Sequence, residues 1–80
     1  MDGENITAFM LLVVAIGKEH DVARNIRGLN YVEEVHIVYG EYDVVVKIVA
    51  DTLKNLDKVV TKIRGLDGVI RSVTLISSEE

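Results

Sequence analysis

One four-residue phrase occurs twice in this 80-residue chain, as "IRGL" at Ile26–Leu29 and again at Ile63–Leu66. The copies lie 37 positions apart, and each is followed by Asn30 or Asp67, then one further residue, then a valine. Such a phrase ends a helix at its glycine, turns the chain at the polar residue and enters a strand at the valine. The repeat therefore predicts two similar halves, each with a helix that leads into a strand.

Hydrophobic periodicity divides the chain into six elements. Strands are predicted over 6–16, 32–39, 43–50 and 69–77, and helices over 18–29 and 53–66, the second capped by Asp51 and Thr52. The first strand is apolar on both faces, which is typical of a central strand. The second and fourth strands mix charged or polar residues into apolar runs, as edge strands do. The order predicts an α+β fold, the ferredoxin-like βαββαβ arrangement with a four-stranded antiparallel sheet.

A chain of this length predicts a single domain over 1–80, with its core in 6–77. Both helices cover one face of the sheet, so the other apolar face needs a partner, and a second copy of the sheet would supply it. Hydrophobic residues make up 49% of the chain, and no cysteine is available for a stabilising disulfide or metal site. We therefore expect a homodimer of the dimeric α+β barrel type.

Charge and composition exclude several classes of function. A net charge of −4 argues against direct binding to nucleic acid, which requires basic residues that neutralise phosphates. The acidic start "MDGENI" is unlike a signal peptide, and the apolar stretch 8–16 is far shorter than the roughly 20 residues that span a bilayer. We expect a cytoplasmic protein with no membrane partner, no metal and no cofactor.

The two halves differ at the predicted hairpin turn "GEYD", residues 40–43. Gly40 can adopt a positive φ and present backbone N–H groups, Asp43 adds a carboxylate, and Tyr42 adds an aromatic ring. Two interpretations are open at this point. The segment is either an ordinary hairpin in which Asp43 accepts N–H bonds from the turn, or a clamp for a zwitterion. The arginines of the repeat, Arg27 and Arg64, are expected to complement the helix dipoles rather than bind a ligand.

The order of motifs resembles that of a known family. "GEYD", the apolar strand "VVVKIVA", a helix, "LDGV" at 66–69 and "RSVT" at 71–74 are similar to the effector-binding domain of Lrp/AsnC transcriptional regulators, also called the RAM domain. The resemblance extends over residues 6–77. It implies dimers that pack sheet to sheet and assemble into octamer-like rings, with an amino-acid effector bound between dimers.

The resemblance also implies which residues contact the effector. The family's turn corresponds to Gly40, Tyr42 and Asp43, and its hydroxyl positions on the final strand correspond to Ser72 and Thr74. Only five residues precede the first predicted strand, so we expect the family's helix-turn-helix domain to be absent. The chain resembles a stand-alone regulatory module, with full-length Lrp/AsnC-type regulators as candidate partners. It is not expected to be an enzyme.

Three alternatives remain open from the residues. The chain could be an oligomerisation module without a ligand. It could be an ACT-like amino-acid-binding domain, with its ligand beside the first strand–helix junction at 16–21. The least favoured alternative is a small dimeric α+β barrel enzyme, which would need polar groups that converge in a pocket, whereas His20 and His36 lie on different predicted elements.

Overall fold

The structure is a computed structural model and describes residues 5–78. Its elements are β1 (Ile6–Val14), α1 (Glu19–Arg27), β2 (Val32–Ile37), β3 (Val44–Ala50), α2 (Leu53–Arg64) and β4 (Val69–Ile76). The strands form one sheet in the order β2-β3-β1-β4, and every neighbouring pair is antiparallel. The predicted βαββαβ fold, with the first and third strands central, is therefore confirmed.

Alternation along the two central strands determines the core. Alternate residues of β1 and β3 point toward the helices, because successive side chains of a strand face opposite sides of its sheet. The apolar stripes of the helices close over them. The buried residues are Ala8, Met10, Leu12, Val14, Val22, Ala23, Ile26, Val35, Val44, Val46, Ile48, Ala50, Leu56, Val59 and Ile63. No polar or charged residue among 5–78 is buried, so the core is entirely hydrophobic.

The opposite face of the sheet, called here the open face, is also apolar at its centre. Leu11 pairs with Val45 of β3 on one side and with Val73 of β4 on the other. These three residues are only half-buried, and Phe9 and Leu75 beside them are 37% and 51% exposed. Neither helix reaches this face, which matches the expectation of an apolar sheet surface that needs a partner.

The matched turns after the two helices differ from the prediction in one respect. The helices end at Arg27 and Arg64 with Gly28 and Gly65 as their C-caps, but these glycines have φ of −85° and −92° and so do not supply the left-handed residue that often follows a helix. The positive φ comes three residues later in both copies, at Tyr31 (73°) and Gly68 (98°). The repeat therefore encodes two similar turns, as predicted, but the turn depends on the residue after Asn30 or Asp67.

Element boundaries differ from the predicted ones mainly at strand ends. β1 ends at Val14 rather than 16, because its register with β4 shifts after Val13 and the chain turns at Gly17 with a φ of 87°. β2 ends at Ile37 rather than 39. The predicted cap of α2 is confirmed, since Thr52 Oγ1 accepts a hydrogen bond of 3.0 Å from the backbone N–H of Asn55.

Candidate functional site

The segment between β2 and β3 is a wider loop than the tight turn expected from the sequence. The N–H of Val38 donates to the carbonyl of Asp43 at 2.9 Å, which closes a six-residue loop over 38–43. Gly40 has a φ of 127°, and a side chain there would meet no atom within 4 Å. Tyr42 and Asp43 are half-buried. The loop therefore places Gly40, Tyr42 and Asp43 together at the end of the sheet.

Asp43 connects this loop to the end of β1. Its carboxylate Oδ2 accepts a hydrogen bond of 2.8 Å from the N–H of Val14, and its own N–H donates to the carbonyl of Leu12 at 2.8 Å. The carboxylate makes no other hydrogen bond to residues 5–78, so Oδ1 keeps its capacity to accept one. Asp43 thus has a structural role, but it accepts the N–H of a neighbouring strand rather than the N–H groups of its own turn that the ordinary hairpin interpretation expected, and its second oxygen accepts no hydrogen bond from residues 5–78.

Ser72 and Thr74 lie on the other side of β1. They pair with Leu12 and Met10, which are fully buried, so the two hydroxyl positions are on the helix side of the sheet at its β4 edge. Asp43 lies on the other side of β1, next to Leu12. Two strand spacings of about 4.8 Å each, or roughly 10 Å in all, therefore separate Asp43 from Ser72. Within one chain the structure therefore does not bring Ser72 and Thr74 together with the loop residues.

Thr74 borders a large apolar groove between α2 and β4. The groove has a volume of about 510 Å³, and Leu53, Lys54, Leu56, Asp57, Val60, Thr74 and Ile76 line it. Leu53 and Ile76 are 63% and 56% exposed, because the helix does not cover the outer edge of β4. Lys54 and Asp57 add one charge of each sign to an otherwise apolar lining. Leu53 and Val60 lie on the apolar face of α2, and the extent of that face beyond the buried Leu56, Val59 and Ile63 is the sequence signal for this groove.

Ser72 borders a second, more polar cavity further along the same edge. This cavity has a volume of about 310 Å³ and is lined by Arg64, Val69, Ile70, Arg71 and Ser72. Neither arginine forms an ion pair within residues 5–78, so both guanidinium groups can bind an anion. The second arginine of the repeat, expected only to complement the helix dipole, thus lies beside a predicted site residue. Arg27 of the first copy instead donates to the carbonyl of Val35 at 3.3 Å.

The histidine and other potential metal-ligating side chains of the described residues are spread over several elements. No group of three or more His, Cys, Asp or Glu side chains within 5–78 is arranged to hold a metal ion. His20 and His36 lie on α1 and β2, and His36 contacts Glu34 rather than a cavity. Neither helix in the described part of the chain is long and apolar enough to cross a bilayer.

Comparison with known proteins identifies the family. The family model of the Lrp/AsnC ligand-binding domain matches residues 7–80. The chain belongs to the Lrp/AsnC family. It is 34% identical over 74 residues to the HTH-type transcriptional regulator FL11 of Pyrococcus furiosus, a match that covers 92% of this chain and 49% of the regulator. The chain thus spans about half the length of the curated relatives that it matches.

Solved structures of similar length share the fold. The crystal structure of FFRP-DM1 matches with a TM-score of 0.85 and 44% identity, covering 90% of this chain and 97% of that one. A hypothetical protein from Pyrococcus horikoshii, PHS023, matches with a TM-score of 0.86 and 43% identity, covering 94% and 92%. The curated relatives are named as transcriptional regulators, which confirms the predicted assignment to a regulatory family rather than to an enzyme class.

Proposed function

We propose that this Lrp/AsnC-family domain acts in the cytoplasm as an oligomeric regulatory module that binds an amino-acid effector and thereby modulates transcription. The observation that carries the proposal is the β4 edge, which borders both an apolar groove of about 510 Å³ and a cavity with two arginines. Thr74 lines the first and Ser72 the second. The two residues are about 7 Å apart along the strand, a span that an amino acid can bridge from its carboxylate to its side chain.

The chemistry of the edge suits each part of an amino acid. The effector's side chain would occupy the apolar groove, and its carboxylate would accept hydrogen bonds from Ser72, Arg64 or Arg71. Its ammonium needs an acceptor, and Asp43 Oδ1 is one that lies too far away in the same chain. We therefore propose that Gly40, Tyr42 and Asp43 of another copy complete the site, so that ligand binding and assembly are coupled.

This arrangement gives the oligomer a regulatory use. A ligand held between copies stabilises their contact, because it binds the assembled state better than the separate copies. Full-length Lrp/AsnC-type regulators that present the same surfaces would be the partners through which the module acts. A homodimer through the open face, with dimers joined at the β4 edges into rings of eight, is the assembly that we propose.

A thermal-shift screen with the twenty amino acids tests the effector. A ligand at a hundred times its Kd stabilises the native state by about 2.7 kcal/mol, and each kcal/mol raises the Tm of a domain of this size by about 4–8 °C. We expect at least one amino acid to raise the Tm by about 10 °C. Replacing Ser72 with alanine removes the hydroxyl that would donate to the effector's carboxylate, and should weaken the binding of that amino acid about fivefold, as the loss of one hydrogen bond does.

Asp43 requires two variants, because it also has a structural role. Asp43→Asn keeps an oxygen that can accept the Val14 N–H bond but removes the charge, whereas Asp43→Ala removes both. We expect Asp43→Asn to retain a Tm close to that of the wild type without ligand and to bind the amino acid at least tenfold more weakly. Unchanged binding by Asp43→Asn would show that the carboxylate is not part of the effector site.

A ligand-free oligomerisation module is the second candidate, and the hydrogen bond from Val14 to Asp43 favours it. That bond gives Asp43 a sufficient structural reason to be present. A flat thermal response to all twenty amino acids at millimolar concentration, together with an intact oligomer in sedimentation, would establish this candidate and overturn the effector proposal.

A further inference from the structure

The two matched turns contain different residues at their left-handed position. Tyr31 has a φ of 73° in the first turn, and Gly68 has a φ of 98° in the second, 37 positions later. Both carbonyls have the same function, since Tyr31 O accepts the N–H of Val49 at 2.9 Å and Gly68 O accepts that of Ala15 at 2.8 Å. Glycine adopts this conformation freely and tyrosine does not. The turn itself therefore does not account for a tyrosine at position 31.

The space beside Gly68 is filled. A Cβ atom at this position would lie 3.1 Å from Val22 Cγ2 and 3.2 Å from Lys18 Cβ. The turn and the start of α1 are also joined by an ion pair, with Lys18 Nζ 3.1 Å from Asp67 Oδ2. In the second half of the molecule, helix and turn thus pack directly against each other.

The corresponding space beside Tyr31 is a cavity. Its volume is about 210 Å³, and Leu29, Asn30, Tyr31, Asn55, Lys58, Val59 and Lys62 line it. Asn55 and Val59 of α2 stand 37 positions after Lys18 and Val22 of α1, so they are the counterparts of the residues that fill the other half. The space between turn and helix is therefore filled at Gly68 and empty at the equivalent position, Tyr31.

The charges at the cavity also differ from those in the other half. Lys58 and Lys62 stand one helical turn apart on α2, where the counterparts in α1 are Asp21 and Asn25. Asn30 stands where the second turn has Asp67. No carboxylate lines the cavity, and neither lysine forms an ion pair with any residue from 5 to 78. Two uncompensated ammonium groups at one cavity are notable in a chain with a net charge of −4.

We propose that this cavity binds a small oxyanion, the phosphate or carboxylate group of a metabolite. Lys58 and Lys62 supply the charge, since side chains four residues apart on a helix lie about 5–6 Å from each other and can contact the same anion. The amide of Asn30 adds hydrogen-bond donors, and the ring of Tyr31 forms a wall. The amide of Asn55 already donates to Asp51 Oδ1 at 2.7 Å, which leaves one of its N–H groups for the anion. The volume is below the roughly 300–1,000 Å³ of pockets for drug-sized ligands, so the ligand has few atoms.

The proposed oxyanion site is separate from the effector site. The groove at Thr74 lies on the β4 side of α2, and the cavity at Tyr31 lies beside the turn that leads into β2. Lys54 belongs to the groove, although it is only one helical turn from Lys58. Lys54→Gln is therefore a matched control that removes the same charge from the same helix outside the cavity.

Tyrosine fluorescence gives a local readout of the oxyanion site. The chain has three tyrosines and no tryptophan, so Tyr31 is the only fluorophore of its kind in a Tyr39→Phe/Tyr42→Phe background. That background is titrated with inorganic phosphate and with acetate, against chloride at matched ionic strength. The collisional quenching of N-acetyl-tyrosinamide under the same conditions is subtracted. Phosphate represents a phosphate group and acetate a carboxylate group. The anion that binds with the lower Kd therefore identifies the group that the cavity prefers.

We expect a saturable change in the fluorescence of Tyr31 with phosphate or acetate and none with chloride. Lys58→Gln/Lys62→Gln should weaken the response at least tenfold, and Lys54→Gln should leave it within twofold of the background protein. A response that does not saturate, that chloride reproduces, or that Lys54→Gln weakens as much as the double variant would overturn the proposal. Circular dichroism of each variant confirms that the fold is retained.

Discussion

A methyl group at position 68 would be too close to the α1 helix, and the backbone there has a conformation that disfavours any side chain. Gly68 has a φ of 98°, and the added Cβ would lie 3.1 Å from Val22 Cγ2, tighter than ordinary van der Waals contact. A non-glycine residue in the left-handed region costs about 1–2 kcal/mol before any contact is counted. At the scale of single residues, this glycine is therefore required by both its conformation and its surroundings.

We predict that Gly68→Ala lowers the free energy of unfolding by about 2 kcal/mol. Gly28→Ala is the matched control, because Gly28 has a φ of −85° and an added Cβ would lie 3.7 Å from its nearest neighbour, the carbonyl of Asn25. Alanine there should be neutral or stabilise the fold by about 0.5 kcal/mol. Urea denaturation measures both variants. Equal effects at the two positions would contradict the assignment of the left-handed residue to position 68.

At the scale of elements, the edge strand β2 carries a charged cluster on the open face. Glu34 Oε1 lies 3.0 Å from His36 Nε2, and Glu34 Oε2 lies 3.9 Å from Lys47 Nζ on β3. The hydrogen bond with His36, assisted by the charge of Lys47, holds the pKa of Glu34 below its ordinary value. This cluster gives the β2 edge charged side chains that discourage strand pairing with other chains.

The lowered pKa predicts a pH dependence. Because the pKa of Glu34 is lower in the folded than in the unfolded chain, its ionised form stabilises the fold at pH values above the unfolded pKa of about 4.3. The contribution is lost as the pH falls through the folded value. We expect Glu34→Gln to lower the urea midpoint slightly at pH 6, with no difference from the wild type at pH 2. A difference that grows toward low pH would contradict this sign.

The elements could be predicted from the sequence because alternation and helical spacing report which face of each element is buried. The apolar residues on both faces of β1 identified a central strand, and the helical spacing of Leu56, Val59 and Ile63 matches the buried face of α2. The site was harder to predict, since periodicity gives no information on how far apart residues of different strands lie in the sheet. It indicated neither that Ser72 and Asp43 lie on opposite sides of β1, nor that Tyr31 would take a left-handed conformation set by tertiary contacts.

At the scale of the whole molecule, the open face is an apolar surface of the sheet that neither helix covers. A row of Val45, Leu11 and Val73 crosses its centre, and Phe9 and Leu75, which pair with each other, form part of the next row. The charged Glu34 and His36 stand at its β2 margin, and Lys47 on β3 lies between them and Phe9, with its ammonium directed toward Glu34. An apolar centre with a charged rim is the general composition of a protein interface, so we expect two copies to pack these faces together.

We predict that Leu11→Lys converts the oligomer to a monomer, because Leu11 lies at the centre of the open face and an unpaired ammonium buried there would cost several kcal/mol. Ile16→Lys is the matched control, since Ile16 is 99% exposed and lies after the end of β1. It adds the same charge outside the proposed interface and should leave the assembly unchanged. Sedimentation velocity measures both variants across a range of concentrations. A wild-type chain that sediments as a monomer, or a Leu11→Lys variant that still dimerises, would show that the open face is not the interface.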